Sequence, residues 1–180
     1  MIYGVISMNE ILNPIVNAPY PKIEVTGKNL DLAYKLLNVY AGNISELTAT
    51  SQYSFQSFYL NEYKDLSNLI EQIAMVEMYH LKILAKLILL LGLTPYYVTY
   101  DCRNTPIPWN SDNIDYTVDY RDMLLSNINS EIIAIRDYNK LIKETNDPNI
   151  KNILRRIIMD EERHMEIFNE LLKEYDALEN

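Results

Sequence analysis

Apolar residues recur at intervals of three and four along most of this chain, the spacing that brings them to one face of a helix. Proline-rich segments and short polar connectors separate four such stretches. The predicted helices cover residues 29–60, residues 65–91, a segment that follows residue 111 and ends near Thr145, and residues 148–178. Gly92 ends the second helix, and Gly42 is expected to loosen the first one locally. The pattern therefore predicts an all-α protein.

The connections between the predicted helices indicate how they pack. Helices joined by a few residues are expected to be antiparallel neighbours, and Asp147 followed by Pro148 provides an N-cap and a first helical residue for the fourth helix. Residues 94–111 contain three prolines and predict a long crossover between two helix pairs. Residues 1–27 also contain three prolines and predict an extended N-terminal arm. The predicted bundle occupies residues 28–180.

Composition narrows the class of protein. The chain has 180 residues, of which 48% are hydrophobic and 23% are charged, as expected for one soluble globular domain. Its formal net charge of −9 argues against a nucleic-acid partner and favours the binding of cations. The single cysteine, Cys102, excludes an intrachain disulfide and a four-cysteine metal site. Because no secretory signal is apparent and the most apolar run is short, we expect a cytoplasmic protein with no membrane partner.

The two histidines each lie three residues after a glutamate, and each Glu-x-x-His pair follows another glutamate by 30 or 31 residues. The leading glutamates stand in the matching strings SELTATSQY and SEIIAIRDY. Residues at i and i+3 share a helix face, so each pair can direct a carboxylate and an imidazole toward one point. Four carboxylates and two neutral imidazoles balance two divalent ions, and such mixed ligation suits iron or manganese. The candidate metal ligands are Glu46, Glu77, His80, Glu131, Glu161 and His164.

An alternative interpretation places both histidines on solvent-facing helices, where local carboxylates satisfy them without a metal. The residues around Glu77 argue against it, because they form an apolar face. They are Ile73, Ala74, Leu81 and Leu84. An ionised carboxylate on such a face is costly unless it is paired or bound to a cation. The sequence therefore favours two metal ions buried in the bundle.

Several motifs resemble those of known di-metal proteins. Residues 36–58, LLNVYAGNISELTATSQYSFQSF, are similar to the first helix of manganese catalase and its spore-coat relatives. EMYH at residues 77–80 and DEERH at residues 160–164 resemble the second-helix and fourth-helix motifs of bacterioferritin. On these motifs the chain is identified as a member of the ferritin-like di-metal carboxylate superfamily over residues 28–180. The resemblance implies a ferritin-like antiparallel four-helix bundle with a long crossover between its second and third helices.

The resemblance also implies roles for individual side chains. The implied bridging ligands are Glu77 and Glu161, and the implied terminal ligands are Glu46 and Glu131. Asp160 is implied to accept the outer N–H of His80 across the bundle and so to fix the tautomer of that ring. Val76 stands at the matching position before Glu77, so His164 lacks the corresponding carboxylate. The two metal positions are therefore expected to be inequivalent.

Two tyrosines and a methionine near the candidate ligands have alternative interpretations. Tyr53 and Tyr138 each lie seven residues after a leading glutamate, two turns along the same helix face. A phenol there can donate a hydrogen bond toward the site, supply an electron, or simply fill the core. Met78 corresponds to the haem-ligating methionine of bacterioferritin, but a methionine on an apolar helix usually packs. Haem is therefore not expected.

These features predict an oxidoreductase in which two iron or manganese ions act on hydrogen peroxide, as in a catalase or a peroxidase. The alternatives are a ferroxidase that feeds an iron store, as in bacterioferritin, and a structural metal-binding protein of the spore-coat kind, with spore association as its location. Peroxide or oxygen is the expected small-molecule partner. One cysteine cannot form the rubredoxin site of rubrerythrin-type peroxidases, so a peroxidase here would need an external electron donor. Tyrosine-rich stretches such as residues 96–100 favour a homo-oligomer.

Overall fold

The computed structural model describes residues 13–179 and confirms the predicted helical bundle. Its elements are α1 (Leu30–Ala41), α2 (Glu46–Tyr59), α3 (Lys64–Leu91), β1 (Val98–Tyr100), β2 (Pro106–Pro108), a 3₁₀ turn (Ser111–Asn113), α4 (Tyr120–Glu144) and α5 (Pro148–Glu179). α2 packs along α3 and α4 packs along α5, each pair being joined by a short connector, as in antiparallel helical hairpins. None of these helices is long and apolar enough to cross a membrane.

The first predicted helix is divided, and the expectation of one helix over residues 29–60 is wrong at residues 42–45. α1 ends at Ala41, and α2 begins at Glu46 after the N-cap Ser45. The Gly42 carbonyl at the break accepts hydrogen bonds from the hydroxyls of Ser45 (2.8 Å) and Thr48 (2.9 Å). These local acceptors and donors replace the helical hydrogen bonds that the break removes. Glu46 consequently lies in the first turn of a helix, where the helix dipole favours a carboxylate.

The crossover between α3 and α4 contains a short hairpin that the sequence pattern did not predict. β1 pairs antiparallel with β2, with Thr99 opposite Ile107. Beyond the hairpin, the Trp109 indole N–H donates to the Thr48 hydroxyl at 2.9 Å. The crossover is therefore fastened to α2 close to the helix break. Gly92, with a φ of 102°, ends α3 in the left-handed conformation that glycine adopts readily.

Residues 13–27, the described part of the predicted arm, contain no helix or strand and run along α5. The backbone N–H of Val16 donates to Asp160 at 2.8 Å, and Arg156 donates to the carbonyl oxygen of Ala18 at 2.9 Å. Residues 1–12 of the predicted arm lie outside the described residues. The division of the chain into an arm and a bundle stays a prediction.

The apolar core forms two clusters that lie toward opposite ends of the bundle. One contains most of α1, the second half of α3 from Leu81 and the first part of α5 up to Ile158. The other contains the first half of α3 up to Ala74, the start of α4 and the part of α5 from Ile167. On α3 and α5 the candidate metal ligands occupy the interval between the clusters. The fold thus surrounds a short polar layer with apolar packing on both sides.

Asp147 connects the arm to the start of α5. One of its carboxylate oxygens accepts hydrogen bonds from the backbone N–H groups of Asn149 (2.9 Å) and Ile150 (3.4 Å), which makes it the predicted N-cap. The other accepts from the backbone N–H of Thr26 at 2.6 Å and from its hydroxyl at 2.9 Å. Burial acts to raise the pKa of Asp147, but the hydrogen bonds from Thr26 and from the first turn of α5 hold it below its ordinary value.

Gly42→Ala is expected to lower the free energy of unfolding by about 1–3 kcal/mol, because overpacking at this tight point forces the backbone to shift. An added Cβ would lie 2.4 Å from the Asn38 carbonyl oxygen. Gly27→Ala is the matched control, since its Cβ would meet nothing within 4 Å. Urea denaturation of both variants measures the difference, and equal losses in the two would contradict this account of the break.

Asp147→Ala is expected to lower the free energy of unfolding by about 1–2 kcal/mol at pH 7, as for loss of an N-cap. The folded-state pKa of Asp147 lies below the unfolded value, so its stabilisation is present above about pH 4 and is lost as the pH falls further. Urea denaturation at steps from pH 7 to pH 3 should therefore show the two proteins converging. Glu170→Ala, an exposed change on the same helix, is the control. A difference that does not vary with pH would refute the role of the carboxylate.

Candidate metal centre

The structure brings the six predicted ligands together in the middle of the bundle. Glu46 comes from the first turn of α2, and Glu131 from the middle of α4. α3 and α5 each contribute one Glu-x-x-His pair, with both members of each pair on the inward face. Each of the six side chains is at most 3% exposed. Four helices therefore converge on one buried cluster of carboxylates and imidazoles.

The six residues form two overlapping groups, in each of which the potential ligand atoms lie within 4.8 Å of one another. The first group is Glu46, Glu77, His80 and Glu161, and the second is Glu77, Glu131, Glu161 and His164. Glu77 and Glu161 belong to both groups. Glu46 and Glu131 each belong to one. The geometry is thus that of two adjacent positions with two carboxylates between them.

The two shared glutamates direct one oxygen to each histidine. The Nδ1 atom of His80 lies 3.2 Å from Oε2 of Glu77 and 3.2 Å from Oε1 of Glu161. The Nδ1 atom of His164 lies 2.8 Å from Oε1 of Glu77 and 3.3 Å from Oε2 of Glu161. The centroids of the two imidazole rings are 6.3 Å apart. Both rings therefore turn the same nitrogen, Nδ1, toward the shared carboxylates.

Several of these atoms have no hydrogen bond of acceptable geometry to any of residues 13–179, although Oε1 of Glu77 and Nδ1 of His164 lie only 2.8 Å apart. They are Oε1 of Glu77, both carboxylate oxygens of Glu161 and both ring nitrogens of His164. Buried polar atoms of this kind are costly unless they have a partner. Arg156 is the one buried arginine or lysine of the described residues, and its ion pair is with Asp160. The unpaired atoms and the uncompensated carboxylates fit two metal ions, and the mixed oxygen and nitrogen ligands suit iron or manganese.

The electrostatics of the cluster follow from its burial. Burial, together with the neighbouring carboxylates, raises the pKa of Glu46 and of Glu131 well above the ordinary value. Burial opposes ionisation of Glu77 too, but His164 and His80 overcome it and hold the pKa of Glu77 below its usual range. Burial acts to lower the pKa of both histidines, yet the surrounding glutamates hold it well above normal. Such groups share protons among themselves, and metal ions would replace those protons.

Two buried tyrosines reach across the bundle to the glutamates that are not shared. The Tyr53 hydroxyl on α2 donates to Oε1 of Glu131 on α4 at 2.6 Å. The Tyr138 hydroxyl on α4 donates to Oε1 of Glu46 on α2. Each tyrosine thus contacts the glutamate of the opposite helix and not the one seven residues before it. Burial and then the neighbouring carboxylates raise the pKa of both phenols well above normal, so they remain donors.

The outer nitrogens of the two histidines have different surroundings. Nε2 of His80 lies 3.2 Å from Oδ2 of Asp160, whereas Nε2 of His164 has no hydrogen-bond partner within the described part of the chain. Arg156 lies 2.7 Å from Asp160, on the same helix. Burial acts to raise the pKa of Asp160, but hydrogen bonds led by that of His80 hold it at about 2. The carboxylate is therefore ionised and accepts hydrogen bonds only.

Sequence reasoning missed two residues that contact this region. Arg156 lies four residues before Asp160, so the helical i,i+4 rule provided a signal for their ion pair. Tyr20 comes from the arm, and its hydroxyl lies 2.8 Å from Nε2 of His80. A tyrosine between two prolines has no periodicity that would connect it to a helix in the bundle. Met78 is 43% exposed and lies outside the cluster.

A cavity of about 220 Å³ adjoins the cluster between α2 and α4. All four candidate glutamate ligands contribute to its wall, as do the two buried tyrosines. Small polar side chains line much of the remainder, including Asn43, Thr48, Gln52, Asn129 and Ser130. Such a space holds a few molecules of the size of water and offers them hydrogen bonds. The cluster is therefore accessible to small polar molecules from this side.

Comparison with known proteins supports the assignment of this chain to the ferritin-like proteins. The chain is 28% identical to the probable manganese catalase of Clostridium acetobutylicum, in a match that covers 84% of this chain and 74% of that protein. The structure resembles that of a manganese catalase from Anabaena PCC7120, with a TM-score of 0.78 and 24% identity over 89% of this chain and 80% of the other. It also resembles Desulfovibrio desulfuricans bacterioferritin, with a TM-score of 0.68 and 23% identity over 85% of this chain and 86% of the other.

The two solved structures show that the chain has the fold of manganese catalase and bacterioferritin, and the buried cluster provides two groups of side chains that could each hold a metal ion. A family model described as rubrerythrin matches residues 38–172, a segment that contains all six candidate ligands. That match extends over well more than half of the chain. The chain therefore belongs to the rubrerythrin family.

Proposed function

We propose that this protein is a di-metal oxidoreductase that consumes hydrogen peroxide, in the manner of a catalase or a peroxidase. The observation that carries the proposal is the pair of overlapping, fully buried ligand groups that share Glu77 and Glu161. The name of the Clostridium acetobutylicum relative supports peroxide as the reactant. The 25% identity to a second structure of the Anabaena manganese catalase, at a TM-score of 0.78, supports it as well.

In the proposed centre, Glu77 and Glu161 would contribute ligands to both metal ions. Glu46 and His80 would complete one ion's ligand set, and Glu131 and His164 would complete the other's. Bound iron or manganese would supply the redox chemistry, because two adjacent ions can together exchange two electrons with a peroxide. The protein contributes a ligand set whose negative charge matches two divalent ions.

The tyrosines orient the terminal ligands in this proposal. Tyr53 and Tyr138 each occupy one oxygen, Oε1, of a terminal glutamate with a hydrogen bond. The second oxygen of Glu46 lies 3.6 Å from Nδ1 of His80 and is left for a metal ion. Because burial keeps both phenols protonated, the hydrogen bonds persist at neutral pH. Ligands held in this way need little reorganisation during a reaction cycle.

The cavity between α2 and α4 provides the access route of the proposed enzyme. Its volume of about 220 Å³ suits hydrogen peroxide and excludes bulky organic substrates. The two apolar core clusters lie on either side of the candidate ligands and limit the approach of water from the ends of the bundle. Cys102 is the single cysteine of the chain and cannot form a four-cysteine iron site, so a peroxidase cycle would draw electrons from an external donor.

Glu77→Gln is expected to lower metal content below two ions per chain and to reduce peroxide consumption at least about 100-fold, because even the loss of an outer partner of a metal ligand costs 10–100-fold. Elemental analysis and the rate of peroxide loss measure the two effects. Glu71→Gln, an exposed change two turns earlier on α3, is the control and should retain both properties. Unchanged peroxide consumption in Glu77→Gln would refute the proposal. Oxygen release by the wild type would identify a catalase, and its absence a peroxidase.

The similarity to bacterioferritins makes a ferroxidase with an iron store the second candidate, and particle mass with iron retention separates it from the enzyme. We expect a small homo-oligomer that retains two metal ions per chain after exposure to excess ferrous iron and oxygen. Light scattering and elemental analysis after gel filtration provide the measurements. A closed shell that retains many iron atoms per chain would favour storage instead.

A further inference from the structure

The two candidate histidine ligands are equivalent on the metal-facing side and different on the outer side. Nε2 of His80 is close to both the Tyr20 hydroxyl, at 2.8 Å, and Oδ2 of Asp160, at 3.2 Å. Nε2 of His164 is buried and has no hydrogen-bond partner among residues 13–179. Contacts at Nε2 therefore restrain the His80 ring, whereas the His164 ring is held by packing and by its Nδ1 contacts alone.

The hydrogen-bond directions around Tyr20 determine which His80 nitrogen carries a proton. The Tyr20 hydroxyl donates its hydrogen to Oδ2 of Asp160, so its oxygen is an acceptor toward His80. Asp160 accepts hydrogen bonds from the Val16 N–H and the Tyr20 hydroxyl and is paired with Arg156 at 2.7 Å, so it is an acceptor toward His80 as well. Nε2 of His80 thus faces two acceptors and must be the protonated nitrogen. Nδ1 points to Glu77 and Glu161, so it is the nitrogen whose proton a bound metal ion would replace.

The arm holds Tyr20 in this position through several contacts with α5. The Arg156 guanidinium lies over the Tyr20 ring, 4.1 Å from its centroid, and donates to the carbonyl oxygens of Val16 and Ala18 at 2.9 Å. The backbone N–H of Val16 donates to the second oxygen of Asp160 at 2.8 Å. Arg156 is only 4% exposed. Residues 16–20 are thus clamped to the helix that carries Asp160.

We propose that Tyr20 is a positioning residue for His80 and that the arm thereby completes one of the two metal positions. The proposal rests on the ligand set proposed above. Removing the hydroxyl leaves Nε2 of His80 with Asp160 as its only acceptor within residues 13–179, at 3.2 Å, and so weakens the restraint on the orientation of the ring. Loss of an outer partner of a ligating histidine typically weakens metal binding 10–100-fold. The metal position that contains His164 does not involve the arm, so its affinity for metal should be unchanged when the Tyr20 hydroxyl is removed.

Tyr20→Phe tests the proposal with Zn²⁺ as a diamagnetic probe. The chain has two histidines, so ¹⁵N-histidine labelling yields one set of ring signals for each, and His80→Gln identifies the His80 set. In the wild type loaded with Zn²⁺, the Nε2–H proton of His80 should exchange slowly with solvent. In Tyr20→Phe we expect faster exchange of that proton, unchanged His164 signals, and a 10–100-fold loss of affinity for one Zn²⁺ of two in chelator competition.

Tyr79→Phe is the matched control, because the Tyr79 ring packs edge-on against Tyr20 at 4.9 Å between centroids while its side chain is 43% exposed. It should leave both Zn²⁺ affinities and the His80 signals at wild-type values. Wild-type values in Tyr20→Phe, or an equal loss at both metal positions, would overturn the role of Tyr20. Failure of the wild-type protein to bind two Zn²⁺ ions would overturn the proposed ligand set as well as the role of Tyr20. A failure of the ligand set can therefore be distinguished from a failure of the Tyr20 proposal alone.

Discussion

The burial of four carboxylates in an apolar helical bundle is the constraint on which this structure depends. Transferring an ionised carboxylate from water to a protein interior costs several kcal/mol even after relaxation, whereas a domain is stable by only about 5–15 kcal/mol in total. Four uncompensated charges would therefore exceed the stability of the fold. Without metal ions, protons held by Glu46, Glu131 and the two imidazoles have to neutralise them, because Arg156 is already paired with Asp160. A pair of cations resolves the conflict, and the surrounding geometry is organised around it.

Much of this arrangement follows from local rules and was predictable. The i,i+3 spacing within each Glu-x-x-His pair directs both side chains to one point whatever the exact helix packing, and the matching strings around Glu46 and Glu131 added two more residues. The six candidate ligands that the structure brings together could therefore be proposed before any fold was known. The helix ends at Gly92 and Asp147 were predictable for the same reason, since capping depends on a few neighbouring residues.

The features that were missed depend on contacts between distant segments. The break after Ala41 is stabilised by hydroxyls of Ser45 and Thr48, and Trp109 on the crossover donates to Thr48 in turn. Gly42 alone indicated a weak point and could not distinguish a loosened helix from two helices. Tyr20 meets His80 across 60 residues of chain, and a side chain on an extended arm has no periodicity to reveal its partner.

The order of the candidate ligands along the chain has a consequence for biosynthesis. Glu46 leaves the ribosome first and His164 last, and each of the two ligand groups includes Glu161. A nascent chain that has exposed α2, α3 and α4 thus holds carboxylates and one imidazole but no complete group. Under the proposed ligand set, metal selection is deferred until α5 has been made and has docked. The cell can then load the centre in a folded protein, where geometry as well as affinity decides which ion is retained.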